Sequence, residues 1–260
     1  MNILIIGDVF GSPGRLAIKK LLPKLQRETE AEFTIVNCEN AAHGKGITEA
    51  TGVELFEAGA DALTGGNHIF HQRGSDEYLD SEPRIIRPLN FPPGAPGRGS
   101  GVFTSASGVP VAVVNACGRV FMEHFDDPFR ALDREVSELA RETPIIIVDF
   151  HAEATSEKVA MGWFLDGRAT AVVGTHTHIP TADETLLDNG TAYVTDLGMT
   201  GPYDSVIGVK KEIILEKMLT MRQARFDVAE ARRVRLHGVL VRVDPSTGRA
   251  LHIERVRREL

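Results

Sequence analysis

Two histidines stand two residues apart in the stretch Gly174-Thr175-His176-Thr177-His178. With 9 histidines in 260 residues, chance alone gives about 0.3 such pairs, and about 0.03 once a glycine must stand two residues ahead. Neutral imidazoles this close can hold a transition metal. They can equally be two solvated loop histidines, so their surroundings must decide. The apolar run Ala171-Val172-Val173 precedes them. Read as the end of a strand over 168–173, it delivers both histidines to the edge where open α/β sheets bind ligands.

The same placement recurs along the chain. Asp8 follows the apolar run 2–7, and Glu39 and Asn40 follow 33–37. Asn67 and His68 follow 61–63, and His151 follows 144–148. Each alone has an ordinary explanation, as a turn residue or a hydrogen-bonded histidine. Five strand ends carrying ligand types are harder to explain separately. Two carboxylates, two amides and three or four imidazoles exceed one tetrahedral site, and neither Cys38 nor Cys117 lies in ligand spacing. The surplus suggests two ions bridged by one carboxylate, with Glu39 as the natural bridge. Such pairs act on the attacking and leaving oxygens of phosphoryl substitution.

The elements that must position these residues alternate between apolar runs and helical patterns. Ser12 is expected to cap a helix that has Pro13 at its first position and runs to about Arg27. Thr48 is expected to cap a helix to about Ala58, and Ser156 one to about Leu165. Further helices are predicted near 72–79, 128–141 and 209–219. Strands are predicted at 101–106 and 110–115. Asp188-Asn189-Gly190 and the turn 244–248 read as hairpins. Residues 87–101, with four prolines and four glycines, read as an ordered surface loop or lid. Arg84 and Arg87 are read with that loop as a wall of the pocket. No repeat or linker interrupts the pattern, so one α/β domain over 1–260 is expected.

Bulk composition narrows the classes. A net charge of −7 argues against a general duplex-binding protein, and extended nucleic-acid binding is not expected. Two cysteines do not make a disulfide framework. No apolar run approaches a membrane helix, and the short N-terminal run lacks the pattern of a signal peptide. A cytoplasmic, homo-oligomeric protein is expected. Cys38 reads as a packed small residue, and Trp163 and Phe164 as helix-core residues. Thr175 and Thr177 read as loop fixers, and His43 and Lys45 as a solvated loop in preference to a phosphate contact.

The set resembles the calcineurin-like metallophosphoesterases. It is closer still to their YmdB-like branch, phosphodiesterases that open 2′,3′-cyclic nucleotides. The resemblance rests on 7–15 (GDVFGSPGR), 39–42 (ENAA), Gly66-Asn67-His68, 149–158 (DFHAEATSEK), 174–178 (GTHTH) and 195–202 (TDLGMTGP). It implies an α/β/β/α sandwich of mixed sheets with the helices outside. It implies one metal on Asp8, Glu39, Asn40 and His178, and a second on Glu39, Asn67, His151 and His176. It implies two transition-metal ions, iron first, with manganese or zinc as alternatives. It implies a small phosphoester or cyclic-nucleotide substrate attacked by a bridging hydroxide, with His68 as general acid. Two positions depart from the wider superfamily. Phe10 stands where a ligand histidine is usual, and Ile69 where an acidic residue often orients the catalytic histidine.

Three rivals stand beside this reading. A nucleotide-binding dehydrogenase-like module is disfavoured, because the first turn lacks Gly-x-Gly-x-x-Gly and no Walker lysine motif is present. A broad phosphomonoesterase or protein phosphatase could use the same core. A regulatory or RNA-associated scaffold could carry hydrolysis incidentally.

Overall fold

A computed structural model describes all 260 residues. In chain order the elements are β1 (Asn2–Ile6), α1 (Gly11–Thr29), β2 (Phe33–Asn37), α2 (Glu49–Glu57), β3 (Ala62–Thr64), α3 (Ser75–Ser81), β4 (Ile85–Ile86), β5 (Ser100–Thr104) and β6 (Pro110–Cys117). There follow α4 (Pro128–Leu139), β7 (Ile146–His151), α5 (Thr155–Phe164), β8 (Ala171–Thr175), β9 (Thr185–Leu186), β10 (Ala192–Val194), β11 (Gly201–Pro202), α6 (Lys211–Thr220), β12 (Val234–Val243) and β13 (Ala250–Glu259). No helix is long and apolar enough to cross a membrane.

Two mixed sheets form. The first has the order β11-β12-β1-β2-β3-β4, with β13 on β12; the second has the order β5-β6-β7-β8-β10-β9. Period-two alternation explains why they stack. In β1, Ile3 and Ile5 face inward to a core shared with Val113, Ile147 and Val173 of the second sheet. Leu4 and Ile6 face outward onto Ile18 and Leu22 of α1. On the far side, Val114, Val148 and Val172 pack on Leu132 and Val136 of α4 and Met161 of α5. The result is the α/β/β/α sandwich expected from the sequence.

Strands β1 to β4 are mutually parallel, as are β6, β7, β8 and β10. Parallel strands release all their C-terminal ends along one edge. The edges of the two sheets adjoin, and this brings the candidate residues together.

Several local expectations are corrected. Ser12 does not cap α1, which begins at Gly11 with no side-chain cap. Gly11 takes a left-handed φ of 58° and donates its N–H to Asn40 O at 2.9 Å, so the chain turns directly from the Asp8 loop into the helix. Ser156 lies inside the first turn of α5, whose N-cap is Ala154. Thr48 does cap α2, in a reciprocal pair with Thr51. Trp163 is 55% exposed, and Phe164 is also exposed. The buried face of α5 is Glu157, Lys158, Met161 and Gly162, so Trp163 falls on the other side. The 87–101 loop folds on Arg87, whose guanidinium donates to the carbonyls of Pro88, Ala95 and Pro96. Arg84 pairs with Glu82 and covers Phe56. Neither arginine nor any residue of the loop lines the cavity described below.

Candidate metal centre

All eight predicted site residues meet at the adjoining sheet edges. Asp8, Glu39, Asn40, His151 and His178 are buried. Glu39 belongs to two groups whose ligand atoms lie within 4.8 Å of one another: Glu39, His151 and His176, and Asp8, Glu39 and His178. In the first, His151 Nε2 lies 3.1 Å from Glu39 Oε2, 3.2 Å from Asn67 Oδ1 and 3.0 Å from His176 Nδ1. In the second, His178 Nε2 lies 3.8 Å from Asp8 Oδ1 and 3.1 Å from Asn40 Nδ2.

The donor set fits cations. Asp8 Oδ1 is buried with no hydrogen-bond partner, an unsatisfied acceptor facing imidazoles. A Cβ on Gly66 would collide with Glu39 Oε2 and His151 Nε2, so glycine keeps that space open. Asn67 already turns its oxygen inward, with its nitrogen on Glu123 at 3.0 Å. Asn40 turns its nitrogen inward, donating to Glu39 Oε1 at 2.8 Å. A half-turn of that amide would present the oxygen that a cation needs.

Protonation reflects the crowding. Burial pushes Asp8 up to about 6, with the Glu39 charge adding to the push and His178 and His151 opposing it. Burial would raise Glu39 as well, but His151 and His68 hold it well below the carboxylate range. His151 is raised to about 9 despite its burial, chiefly by Glu39 and then Asp8. His176 is lowered to about 3 by burial and by the neighbouring His151. The His151 imidazole thus holds its proton beside the carboxylates, where bound ions would supply the neutralising charge instead.

The surrounding residues fix ring directions. His151 Nδ1 meets Thr175 Oγ1 at 2.9 Å, and that hydroxyl donates to Asp149 Oδ1 at 2.6 Å. Asp149 Oδ2 accepts from Thr64 and Asn37. His178 Nδ1 meets the carbonyl of Ile207 at 2.9 Å. His176 and His178 both have left-handed φ, 96° and 66°, a strained state for side-chain-bearing residues. The loop is clamped by a buried ion pair. Lys158 Nζ donates to Thr175 O and to Asp196 Oδ2, each at 2.7 Å. Asp196 Oδ2 also accepts from the backbone N–H and hydroxyl of Thr177.

His68 sits on the rim, its Nδ1 3.3 Å from Glu39 Oε1 but without hydrogen-bond alignment. Ile69 is fully buried in the core, so it cannot orient His68; Glu39 is the carboxylate beside the ring. Phe10 packs edge-on against His178, with centroids 5.4 Å apart. His43 and Lys45 are exposed, as read from sequence, and their loop lies along the same cavity. Sequence reasoning gave no role to Asp149, Glu153, Lys158 or Asp196, although all four lie in the stretches that carry the resemblance. Nor did it single out Ile207, which lies in a stretch without recognisable spacing.

The site opens into a cavity of about 610 Å³. One side holds Glu39, Asn40, His68, His176 and His178, and the other side is mainly apolar, with Lys217 and Asp227 among it. A carboxylate shared by two imidazole groups, with a further histidine on the rim of a cleft, suits two-metal phosphoryl chemistry.

The chain is similar to known proteins along nearly its whole length. The family of YmdB-like proteins matches residues 4–256. A 2′,3′-cyclic-nucleotide 2′-phosphodiesterase of Bacillus subtilis is 50% identical over 256 residues, covering 98% of this chain and 96% of its own. A crystal structure of a hypothetical protein from Thermus thermophilus superposes with a TM-score of 0.93 at 42% identity, covering 100% of this chain and 99% of that one. A phosphatase of Mycoplasma pneumoniae superposes with a TM-score of 0.93 at 34% identity, covering 100% and 93%.

Proposed function

The chain belongs to the YmdB-like family, and from that premise we propose that it is a metal-dependent phosphodiesterase opening 2′,3′-cyclic nucleotides. The observation that carries this is Glu39, shared by two ligand groups at the floor of one cavity. One group is read as Asp8, Glu39, Asn40 and His178, the other as Glu39, Asn67, His151 and His176. Two transition-metal ions held there, with iron first and manganese or zinc as alternatives, would supply an acidified water as nucleophile and positive charge for the phosphoryl oxygens.

The chain's own residues do the rest. Thr175 and Asp149 fix the ring of His151, and the Ile207 carbonyl fixes that of His178. The Lys158–Asp196 pair keeps the strained loop between the two histidines in place. His68 is the group on the rim that can meet the leaving oxygen. Water adds to phosphorus, the bond from phosphorus to the ribose O2′ breaks, and His68 gives that oxygen its proton. The product is the nucleoside 3′-phosphate, in keeping with the 2′-phosphodiesterase name of the Bacillus relative.

The test compares 2′,3′-cyclic AMP with p-nitrophenyl phosphate and its bis ester on metal-loaded enzyme. The expected result is preference for the cyclic diester and adenosine 3′-phosphate as sole product. Faster hydrolysis of the monoester would instead make the protein a phosphomonoesterase.

A further inference from the structure

The catalytic cavity has a second side that the metal reading does not use. Residues 206–228 run along it as a turn, helix α6 and an extended segment. They contribute Val206, Ile207, Val209, Ile214, Met218, Phe226 and Val228 to the lining. Beneath them Phe10, Met199, Val209 and Ile214 form a small cluster of their own, separate from the three large cores. Phe10 joins the two sides. It lies against the His178 ring and within this cluster. The position that would carry one more imidazole therefore begins an apolar wall.

The wall is exposed at Ile207, Met218 and Phe226, while Phe10 is buried. Ile207 is 46% exposed, Phe226 41% and Met218 71%. Lys217 Nζ stands 4.7 Å from the Phe226 ring centroid, on the lining of the same cavity. Ile207 ties the wall to the metal floor, because its carbonyl accepts from His178 Nδ1. Its φ of 46° is a genuine outlier for a β-branched residue, which marks a position held by its surroundings. One cavity thus offers charged and imidazole groups at one side and aromatic, thioether and branched surface at the other. A ligand matching both is an ester that carries a phosphate at one end and an apolar, aromatic-compatible group at the other.

We propose that the wall of Phe10, Ile207, Met218 and Phe226 is a nucleobase-binding subsite, so that the enzyme selects its diester through the base as well as through the phosphate. This rests on the cyclic-nucleotide reading above. Base–aromatic contacts tolerate any base, because every base has a π-face, and a thioether adapts to the shape it meets. Selectivity for nucleotides over baseless esters is therefore expected, with little choice among bases.

Holoenzyme is assayed with 2′,3′-cyclic AMP and with glycerol 1,2-cyclic phosphate, which has the same five-membered diester and no base. Wild type should favour the nucleotide in kcat/KM, and Phe226→Ala should lower that preference by about tenfold, through KM rather than kcat. Phe226→Tyr should restore it. Binding of adenosine, which has no phosphate, is read in parallel by saturation-transfer NMR and should weaken in Phe226→Ala. An unchanged preference together with unchanged adenosine binding overturns the subsite. Equal loss on both substrates also overturns it, since a merely structural role would produce that. If wild type hydrolyses neither diester while adenosine still binds through Phe226, the subsite stands and the catalytic reading falls.

Discussion

The two sides of the catalytic cavity are built by opposite means. The metal side is made from strand ends, is largely buried, and is fixed by a polar network from His151 through Thr175 to Asp149. Apart from Phe10, the apolar side is one continuous segment, 206–228, whose helix α6 buries only Ile214. Positions that must hold reacting atoms to a fraction of an ångström sit on the sheets. Positions that only need to offer surface sit on a segment with few tertiary ties. On the proposed reading, chemistry is set by the scaffold, and selectivity by what is laid across it.

The largest expected effect breaks the metal side at its centre. Glu39→Gln removes the carboxylate common to both ligand groups, so both metals should be lost on elemental analysis and activity should fall to background. Retention of a full complement would show that Glu39 bridges nothing. Next, His68→Ala should keep both metals yet lower kcat by roughly 10²–10⁴-fold, the usual worth of a general acid. Loss of metal in that variant would move His68 from acid to ligand.

A smaller effect tests whether the polar network matters beyond the ligands themselves. Thr175→Val cuts the link between His151 and Asp149. Metal affinity should drop roughly 10–100-fold, measured by competition with a chelator. An unchanged affinity would mean that the ring is held by packing alone.

The smallest effect lies behind the apolar segment. His237 stacks on Tyr203, which packs against the Phe10 cluster. Burial, and then Arg257, Arg235 and Arg255, lower His237 to about 4 from its ordinary 6.5. The folded protein therefore binds fewer protons there than the unfolded chain between these values. The neutral ring contributes stability above pH 6.5, and the contribution is lost as pH falls toward 4. The contribution is at most about 3 kcal/mol. Denaturant midpoints of wild type and His237→Gln should converge as pH falls through that window. A constant gap would remove His237 from the acid response.

Legibility in the sequence divides along the same line. The metal side was readable because each strand is an apolar run and each ligand type follows directly on one. The α/β class was readable for the same reason, since apolar runs alternate with helical patterns, while the two-sheet sandwich followed only from the family resemblance. Helix starts at Gly11 and Thr155 were misread because a serine beside a helix is a cap only if the chain enters through it. Trp163 was misread because volume and apolarity say nothing about which face of α5 is inward. Residues 87–101 drew attention by their prolines, yet they close on Arg87 and leave the cavity to 206–228. That segment was passed over because it has no periodicity tied to a site. Asp149, Lys158 and Asp196 act through other residues, and nothing in a linear pattern says which backbone or ring a buried charge will meet.

The most direct measurement is anomalous scattering, at several metal edges, from crystals of the metal-loaded protein. Two peaks per chain are predicted, with Glu39 between them. One should lie against Asp8, Asn40 and His178, the other against Asn67, His151 and His176. A single peak, or two peaks with Glu39 bound to only one, would contradict the shared-carboxylate centre.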